Sequence, residues 1–525
     1  MIMKNLKYIF ILFLSIQFSC IDDKSKFGGN EIDAITIEGI EEYTEIEIGT
    51  KLEIKPTVIT KFSDKSQLSY VWYKYNKEQA VPDTLSHEKN LDVIIGDVLP
   101  GVITTLVFKV IDLQTGIFAM HKSSFVTVGK YSGGTLMLCR VDGENDLAML
   151  KKDGKTLYEN IYSYANDGTR LGKESKRIIL TDSYEANPLG HKSVIVTCDD
   201  ETGGVYLDPV IFTRQNYMKE KFILGEEMKG DLVITGYIAT AEGDYLVANG
   251  KVYNRVNGDK AKADWNPELV FLAEPKDYYA ASSIGNSVGI MFYDNLHNRF
   301  MVNEKGVGYF SFITGKDYDF SSYDPNDIGE GIELVIMGNQ SSRTDFMWEL
   351  MKNTKTGEYI LLKSKTGFNS SWQTIFVAED KKVLSKSEFP HLYEATNFIA
   401  GTKLFFANSY PWKNYVLGQP NIFFFLSNNK IYAFNIGTLS EAVLIDGDVE
   451  NYTITGMDCT EIKDPQGVED TYVQLTVTVK DRGLAGKSGG IAIYRLDNVG
   501  GLSAEKIYAK TGFCDEVLYT VEKLN

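Results

Sequence analysis

The residues that could do chemistry are few. The chain has 525 residues but only five His and five Cys, and His87, His121, His191, His297 and His391 fall in no H-E-x-x-H or H-x-H spacing. A protease-type zinc site is therefore unsupported. Gly285-Asn286-Ser287-Val288-Gly289 matches G-x-S-x-G, yet a nucleophile elbow needs a strand turning into a helix, and the residues that follow read as another strand. Asp317, Asp319, Asp324 and Asp327 lie close together among Tyr318, Phe320 and Tyr323. An oxygen-rich loop of this kind suits Ca²⁺, although the EF-hand order is missing, and a solvated acidic loop is the plainer reading. No other cofactor is expected. With 71 Asp+Glu, a pair of carboxylates could hydrolyse a glycoside, but no particular pair stands out.

Aromatic residues outside the strands carry more information. Trp265, Tyr278, Tyr279, Trp372, Tyr410 and Trp412 have Asn, Pro, Ser or Gly neighbours that place them in loops. Exposed rings with polar neighbours suit sugars, peptides or a protein partner. The plainer alternative is that each ring caps a blade.

The elements that would position these residues are strands. Aromatics make up 12 %, with 31 Tyr and 28 Phe, and the length allows more than one domain. The net charge of −17 repels polyphosphate, which excludes nucleic acid as a partner. From residue 131 on, a strand, a turn rich in Asn, Asp and Gly, and a second strand recur. The turns include Asp142-Gly143, Asp199–Gly204, Asn249-Gly250, Asn303–Gly306, Thr366-Gly367, Asn428-Asn429 and Asp497–Gly500. Such turns favour hairpins because their central residues need positive φ. From Leu138 to Ile493 the seven units take six steps over 355 residues, about 59 each. That period predicts an irregular β-propeller of about seven blades over 130–525. Loops joining successive blades are expected to alternate between its two ends. Cys139 and Cys514 sit near its two ends, so closure of the ring would bring them together.

Residues 33–129 read as a separate β-sandwich, with Gly49-Thr50 turning a hairpin that carries Ile46, Ile48, Leu52 and Ile54. The strings G-x-x-L-x-I-x-P-x-V at Gly49–Val58, Y-V-W-Y at Tyr70–Tyr73 and V-F-K-V-I-D at Val107–Asp112 resemble the PKD-like immunoglobulin-type modules of Bacteroidota surface lipoproteins. The resemblance implies that Trp72 is the core tryptophan. It covers about a fifth of the chain, and its motifs are structural.

Lys4 and Lys7, the apolar run Tyr8–Phe18 and Cys20 resemble a bacterial lipoprotein signal. The resemblance implies that residues 1–20 are the signal, that Cys20 is lipidated and that 21–32 form a tether. Ile21-Asp22-Asp23 resembles the acidic tag that sends Bacteroidota lipoproteins to the outer face of the outer membrane. A lipoprotein of PKD-like module plus propeller is similar to the accessory lipoproteins of SusC/SusD-type nutrient importers. This implies a surface protein that binds a glycan or peptide, docks on the importer, or both. The alternative is a surface hydrolase, glycosidase-like, using loop carboxylates on the propeller face.

Overall fold

The computed structural model describes residues 34–61, 64–76, 81–95, 103–182, 191–225, 228–239, 243–256, 264–286, 290–303, 308–314, 318–339, 346–368, 374–406, 414–462, 472–497 and 502–523. The chain divides into two compact units, with the boundary between Val126 and Thr127. Both units are all-β. The described residues include one short α-helix, Ile161–Ala165.

The first unit is the β-sandwich. One layer orders its five strands Tyr43–Glu47, Phe118–Val128, Ile103–Asp112, Leu68–Tyr75 and Asp83–Ser86, and two two-stranded sheets accompany it. Trp72 is fully buried, stacks on Phe108 at 4.3 Å and donates its indole N–H to the Lys89 carbonyl at 3.2 Å. It is the core tryptophan. The Gly49-Thr50 turn forms, with φ +80° at Gly49 and a Thr50 N–H to Glu47 O bond of 3.0 Å. It does not close a hairpin, however. Tyr43–Glu47 pairs with Phe118–Val128, while Lys51–Ile54 pairs with Leu91–Ile94 in another sheet. The turn passes the chain between sheets, so Ile46 and Leu52 reach the core from different sheets.

The second unit is a β-propeller. Blade 1 holds Gly134–Val141, Glu144–Lys151 and Leu157–Tyr158, blade 2 runs from Ser175 to Tyr217, and blade 3 from Ile234 to Val256. Blade 4 runs from Gly285 to Asn303, blade 5 from Ile332 to Leu384, blade 6 from Asn397 to Asp446, and blade 7 from Tyr452 to Cys514. The innermost strand of blade 1 is the C-terminal strand Glu516–Lys523, which pairs with Gly134–Val141. It also touches the inner strands of blades 2 and 7, so the two ends of the propeller chain close the ring.

Because each blade is flanked by two others, both faces of its strands must be apolar, and the sequence shows continuous runs in place of alternation. In blade 6, Phe423, Phe425 and Phe434 face the blade 5 core, whereas Ile422, Phe424 and Leu426 face blade 7. Seven separate apolar clusters fill the gaps between successive blades, one per gap. That count fixes seven blades independently of the strand order.

The inner strands share a device that pattern reading did not reveal. In blades 1, 2, 3, 5 and 7 each pairs with its neighbour through a one-residue slip, at Leu518, Lys176, Thr235, Val335 and Thr455, and blade 6 has a larger slip at Gly401. Extra residues of this kind increase local twist, which lets the inner strand run along the channel while the outer strands splay. Ile234-Thr235-Gly236 and Ile454-Thr455-Gly456 repeat the same three residues at this bulge. Gly236 is required there because a Cβ would come within 2.4 Å of Ser282 O on the chain entering blade 4.

One of the recurrent turns was misplaced. Thr366-Gly367 is no turn, since Tyr359–Phe368 runs straight through it and Thr366 pairs with Phe376. In blade 4 a hairpin that the turn pattern did not mark, Ile290–Asp294 with Arg299–Asn303 turned by Asn295–Asn298, precedes the expected one, across which Val302 pairs antiparallel with Ser311. Nor do blade-to-blade connections alternate between ends. The second-to-third-strand turn of blade 6 holds the entry to blade 7, with Asn429 accepting from Ile454 N–H at 2.8 Å. The corresponding turns of blades 1 and 4 hold the entries to blades 2 and 5 through Asn145 and Asn298. Those connections therefore share the end that carries these turns.

Candidate binding face

At this turn-bearing end, blade 2 carries an open cleft of about 430 Å³ lined by Glu201, Thr202, Tyr217, Lys219, Glu220 and Gly225. The turn that brings Glu201 and Thr202 to it is braced by Asp200. One carboxylate oxygen accepts from Thr202 N at 2.8 Å, Thr202 Oγ1 at 2.6 Å and Gly203 N at 3.1 Å. Burial opposes ionisation of Asp200, but the Cys198 thiol and these donors hold its carboxyl below the usual range. The turn is thereby rigid. One wall is the end of the outer strand Arg214–Tyr217, followed by the buried Met218 and the short helical turn Lys219–Lys221. Glu220 accepts from Tyr217 N at 2.9 Å, and Arg214 donates to the Tyr217 hydroxyl at 2.7 Å. Gly225 closes the wall, where a Cβ would lie 2.1 Å from Lys219 O. The cleft thus presents a phenol, an amine, a hydroxyl and two carboxylates on a fixed frame, suited to a polar ligand held by hydrogen bonds along one ring face.

The loop aromatics distribute differently from the sequence expectation. Trp265 lies outside the regular strands yet is fully buried, its indole N–H donating to Tyr206 Oη at 2.9 Å within the core between blades 2 and 3. Tyr278 is 4 % exposed, its hydroxyl bonded to Leu269 O at 2.7 Å and to Val252 N at 3.2 Å. Both are therefore structural. Among the described residues blade 3 has three strands, and the segment after it folds back along the outermost one, with Asn266 N–H bonded to Asn254 O and Leu269 N–H to Val252 O at 2.8 Å each, burying Trp265 and Phe271. Tyr279 is 53 % exposed. Trp372, Tyr410 and Trp412 lie outside the described residues, as does Cys20. Trp265, Tyr278 and Tyr279 therefore form no shared shelf.

Asp317 also lies outside the described residues. Asp319 and Asp324 accept from the backbone N–H two residues on, Ser321 at 2.9 Å and Asn326 at 2.9 Å, and Asp327 pairs across the turn with Asp324. These are turn-forming carboxylates, and among the described residues no group of three His, Cys, Asp or Glu is placed to hold a metal ion. Ser287 lies outside the described residues, but the strands on either side of it, Gly285–Asn286 and Ile290–Asp294, pair antiparallel. No helix follows, as an elbow would require.

Three described carboxyl groups have raised pKa values, and they stand in different blades. Asp199 in blade 2 and Glu441 in blade 6 are raised by burial. Glu349, in the second strand of blade 5, is fully buried and pushed up to about 8 by desolvation, against a bond from Ser364 Oγ at 3.2 Å. Its other carboxyl oxygen has no partner. Burial keeps Glu349 protonated at neutral pH. A signal for it existed, an acid inside the apolar run Phe346-Met347-Trp348-Glu349-Leu350-Met351. The cleft residues had a weaker one, Asp-Glu-Thr-Gly-Gly at 200–204.

Cys139 and Cys514 are brought together by ring closure as free, buried thiols in one apolar cluster, and desolvation followed by the neighbouring thiol pushes Cys139 well above the usual range. Cys198 and Cys459 are also buried thiols outside any disulfide.

Among solved structures, the chain is similar to a quinoprotein alcohol dehydrogenase-like protein from Bacteroides thetaiotaomicron. The identity is 12 % over 94 % of this chain and 100 % of that one, with a TM-score of 0.32. A dihydro-heme d1 dehydrogenase matches at 8 % identity over 88 % and 76 %, with a TM-score of 0.29. AztD from Citrobacter koseri, in its apo form, matches at 9 % identity over 87 % and 98 %, with a TM-score of 0.22. No curated protein sequence matches the chain. Residues 20–174 match the PKD-like family, a stretch that contains the whole sandwich, including Trp72, and runs on into the first blade.

Proposed function

We propose that this protein is a lipid-anchored binding protein on the outer face of the outer membrane. In this reading the sandwich is a spacer and the propeller captures a glycan or peptide, in the setting of a SusC/SusD-type importer. The observation that carries the reading is the blade 2 cleft, a rigid concave site whose polar groups and single phenol match a hydrophilic ligand. Substituting Tyr217→Ala together with Lys219→Ala removes the ring and the amine while leaving Met218 and the Asp200 turn in place. Stacking and charge-assisted bonds of this kind contribute about 1–3 kcal/mol each, so affinity for ligands found on glycan and peptide arrays is expected to fall at least about tenfold. The melting temperature should change little. Unchanged affinity in the double variant would remove the cleft from consideration.

The anchor rests on Cys20 and is tested separately. Replacing Cys20 by Ala should move the protein from the membrane fraction to the soluble fraction. A variant that stays in the membrane, or a wild type that protease added to whole cells cannot reach, contradicts the surface placement.

A further inference from the structure

The core between the last blade and the first holds two thiols in contact. Cys139 lies on Gly134–Val141 of blade 1, and Cys514 ends Ser503–Cys514, the outer strand of blade 7. Both are fully buried and share the apolar cluster that joins the two blades. Their sulfurs are close enough for a hydrogen bond, and burial first and then that bond push the Cys139 thiol well above its usual range. Cys198 and Cys459 lie elsewhere, one packed against Gly172 beside blade 2 and the other in the core between blades 6 and 7.

The backbone holds this pair in place. Asp515, the residue after Cys514, donates its N–H to the carbonyl of Arg140, the residue after Cys139, at 2.9 Å. Glu516 then forms an ion pair with Arg140 at 3.4 Å, and Val517 is the register partner of Cys139. On its other side Cys514 pairs with Gly489, where a Cβ would come within 2.8 Å of the Cys514 sulfur, so the glycine leaves room for it. A single buried thiol is an ordinary small apolar side chain. Two in contact at the closure of the ring are different, because they are 375 residues apart. A bond between them closes a loop that holds nearly the whole propeller, and the entropy a cross-link takes from the unfolded chain grows with the length it closes.

We propose that Cys139 and Cys514 form a disulfide that locks the ring shut. The reaction is an exchange with a disulfide-bonded oxidant. The thiolate of one cysteine attacks the S–S bond of the oxidant, and the other cysteine then attacks the mixed disulfide. One S–S bond forms in the protein and one breaks in the oxidant. Two electrons pass to the oxidant, and the two thiol protons end on the two thiols it releases. Both cysteines are buried in the closed ring, so the exchange takes place while the C-terminal strand is open, during folding or when that strand frays. The presence of such an oxidant around the protein rests on the surface placement proposed above, whereas the pairing of the two sulfurs does not.

The purified full chain is reduced, freed of reductant and held overnight with excess oxidised glutathione just below its melting temperature, where the terminal strand frays. It is then unfolded in iodoacetamide, digested and mapped by mass spectrometry, and its melting temperature is compared with that of the reduced form. A cross-linked peptide pair carrying Cys139 and Cys514 is expected, with Cys198 and Cys459 outside the cross-link, and a melting temperature higher by about 5 °C. Cys514→Ala should lose both effects, and Cys139→Ala replaces it if that variant fails to fold. Absence of the cross-linked pair after oxidation overturns the proposal, as does a cross-linked form that melts no higher or a rise that persists in the alanine variant. The same mapping on protein extracted from cells directly into iodoacetamide separates the two readings. Thiols that are reduced there but cross-linked by glutathione count against the surface placement and uphold the pairing.

Discussion

Deleting residues 516–525 is expected to abolish folding of the propeller while leaving the sandwich intact. The deletion removes the inner strand of blade 1 and its full ladder with Gly134–Val141. It also removes Val517 from the core between blades 7 and 1, and Leu518, Tyr519 and Val521 from the core between blades 1 and 2. Four apolar side chains at about 1.5 kcal/mol each amount to about 6 kcal/mol, comparable to the whole stability of many domains. Limited proteolysis should then degrade everything beyond about residue 130 and spare a fragment containing Trp72. A truncated chain whose propeller resists protease and melts cooperatively would show that closure by the C-terminal strand is dispensable.

The second large effect concerns Glu349 and pH. Its folded value of about 8 lies above the ordinary 4.5, so the native state keeps a proton that the unfolded chain releases. The stability this group contributes is fully present below about pH 4.5 and is lost progressively as pH rises to about 8, after which the loss levels off. Relative to Glu349→Gln, which does not titrate, the wild type should therefore lose about 3 kcal/mol between pH 4.5 and pH 7. Denaturant unfolding of both proteins at pH 5, 6, 7 and 8 reads this directly. Parallel curves at all four values would mean that Glu349 is ionised in the native state and paired with a cation.

The fold was legible to the extent that it rests on local turn chemistry. Asp142-Gly143, Asn249-Gly250 and Asn428-Asn429 all adopt positive φ at both positions, as such dipeptides in a two-residue hairpin should. They marked enough blades for the count to come out. Thr366-Gly367 misled because a β-branched residue beside a glycine also fits a long strand crossing a bulge, and pairing over ten residues outweighed the local preference. The bulges on the inner strands were invisible because they arise from the geometry of the ring.

The site residues were less legible, for a physical reason. Polar neighbours correctly placed Trp265 and Tyr278 outside the main strands, but a loop that folds back along the outermost strand of a blade can turn its ring inward and bury it. Whether it does depends on the neighbouring blade, and no local spacing reports that. The buried Lys523 is a parallel case. Its burial depends on a strand arriving from the far end of the propeller.

That arrival has a cost in time. Arg140 and its partner Glu516 are 376 residues apart, and a polypeptide is made at about 5–20 residues per second. For roughly 20 to 75 seconds after Arg140 is made, the edge of Gly134–Val141 has backbone groups ready for a strand that does not yet exist. An open edge is a template for pairing with any passing strand, including the same edge on another nascent copy. The pairing that covers the edge of Gly134–Val141 in the finished protein thus leaves it exposed for as long as synthesis of the rest lasts, and crowded production should favour aggregation over closure.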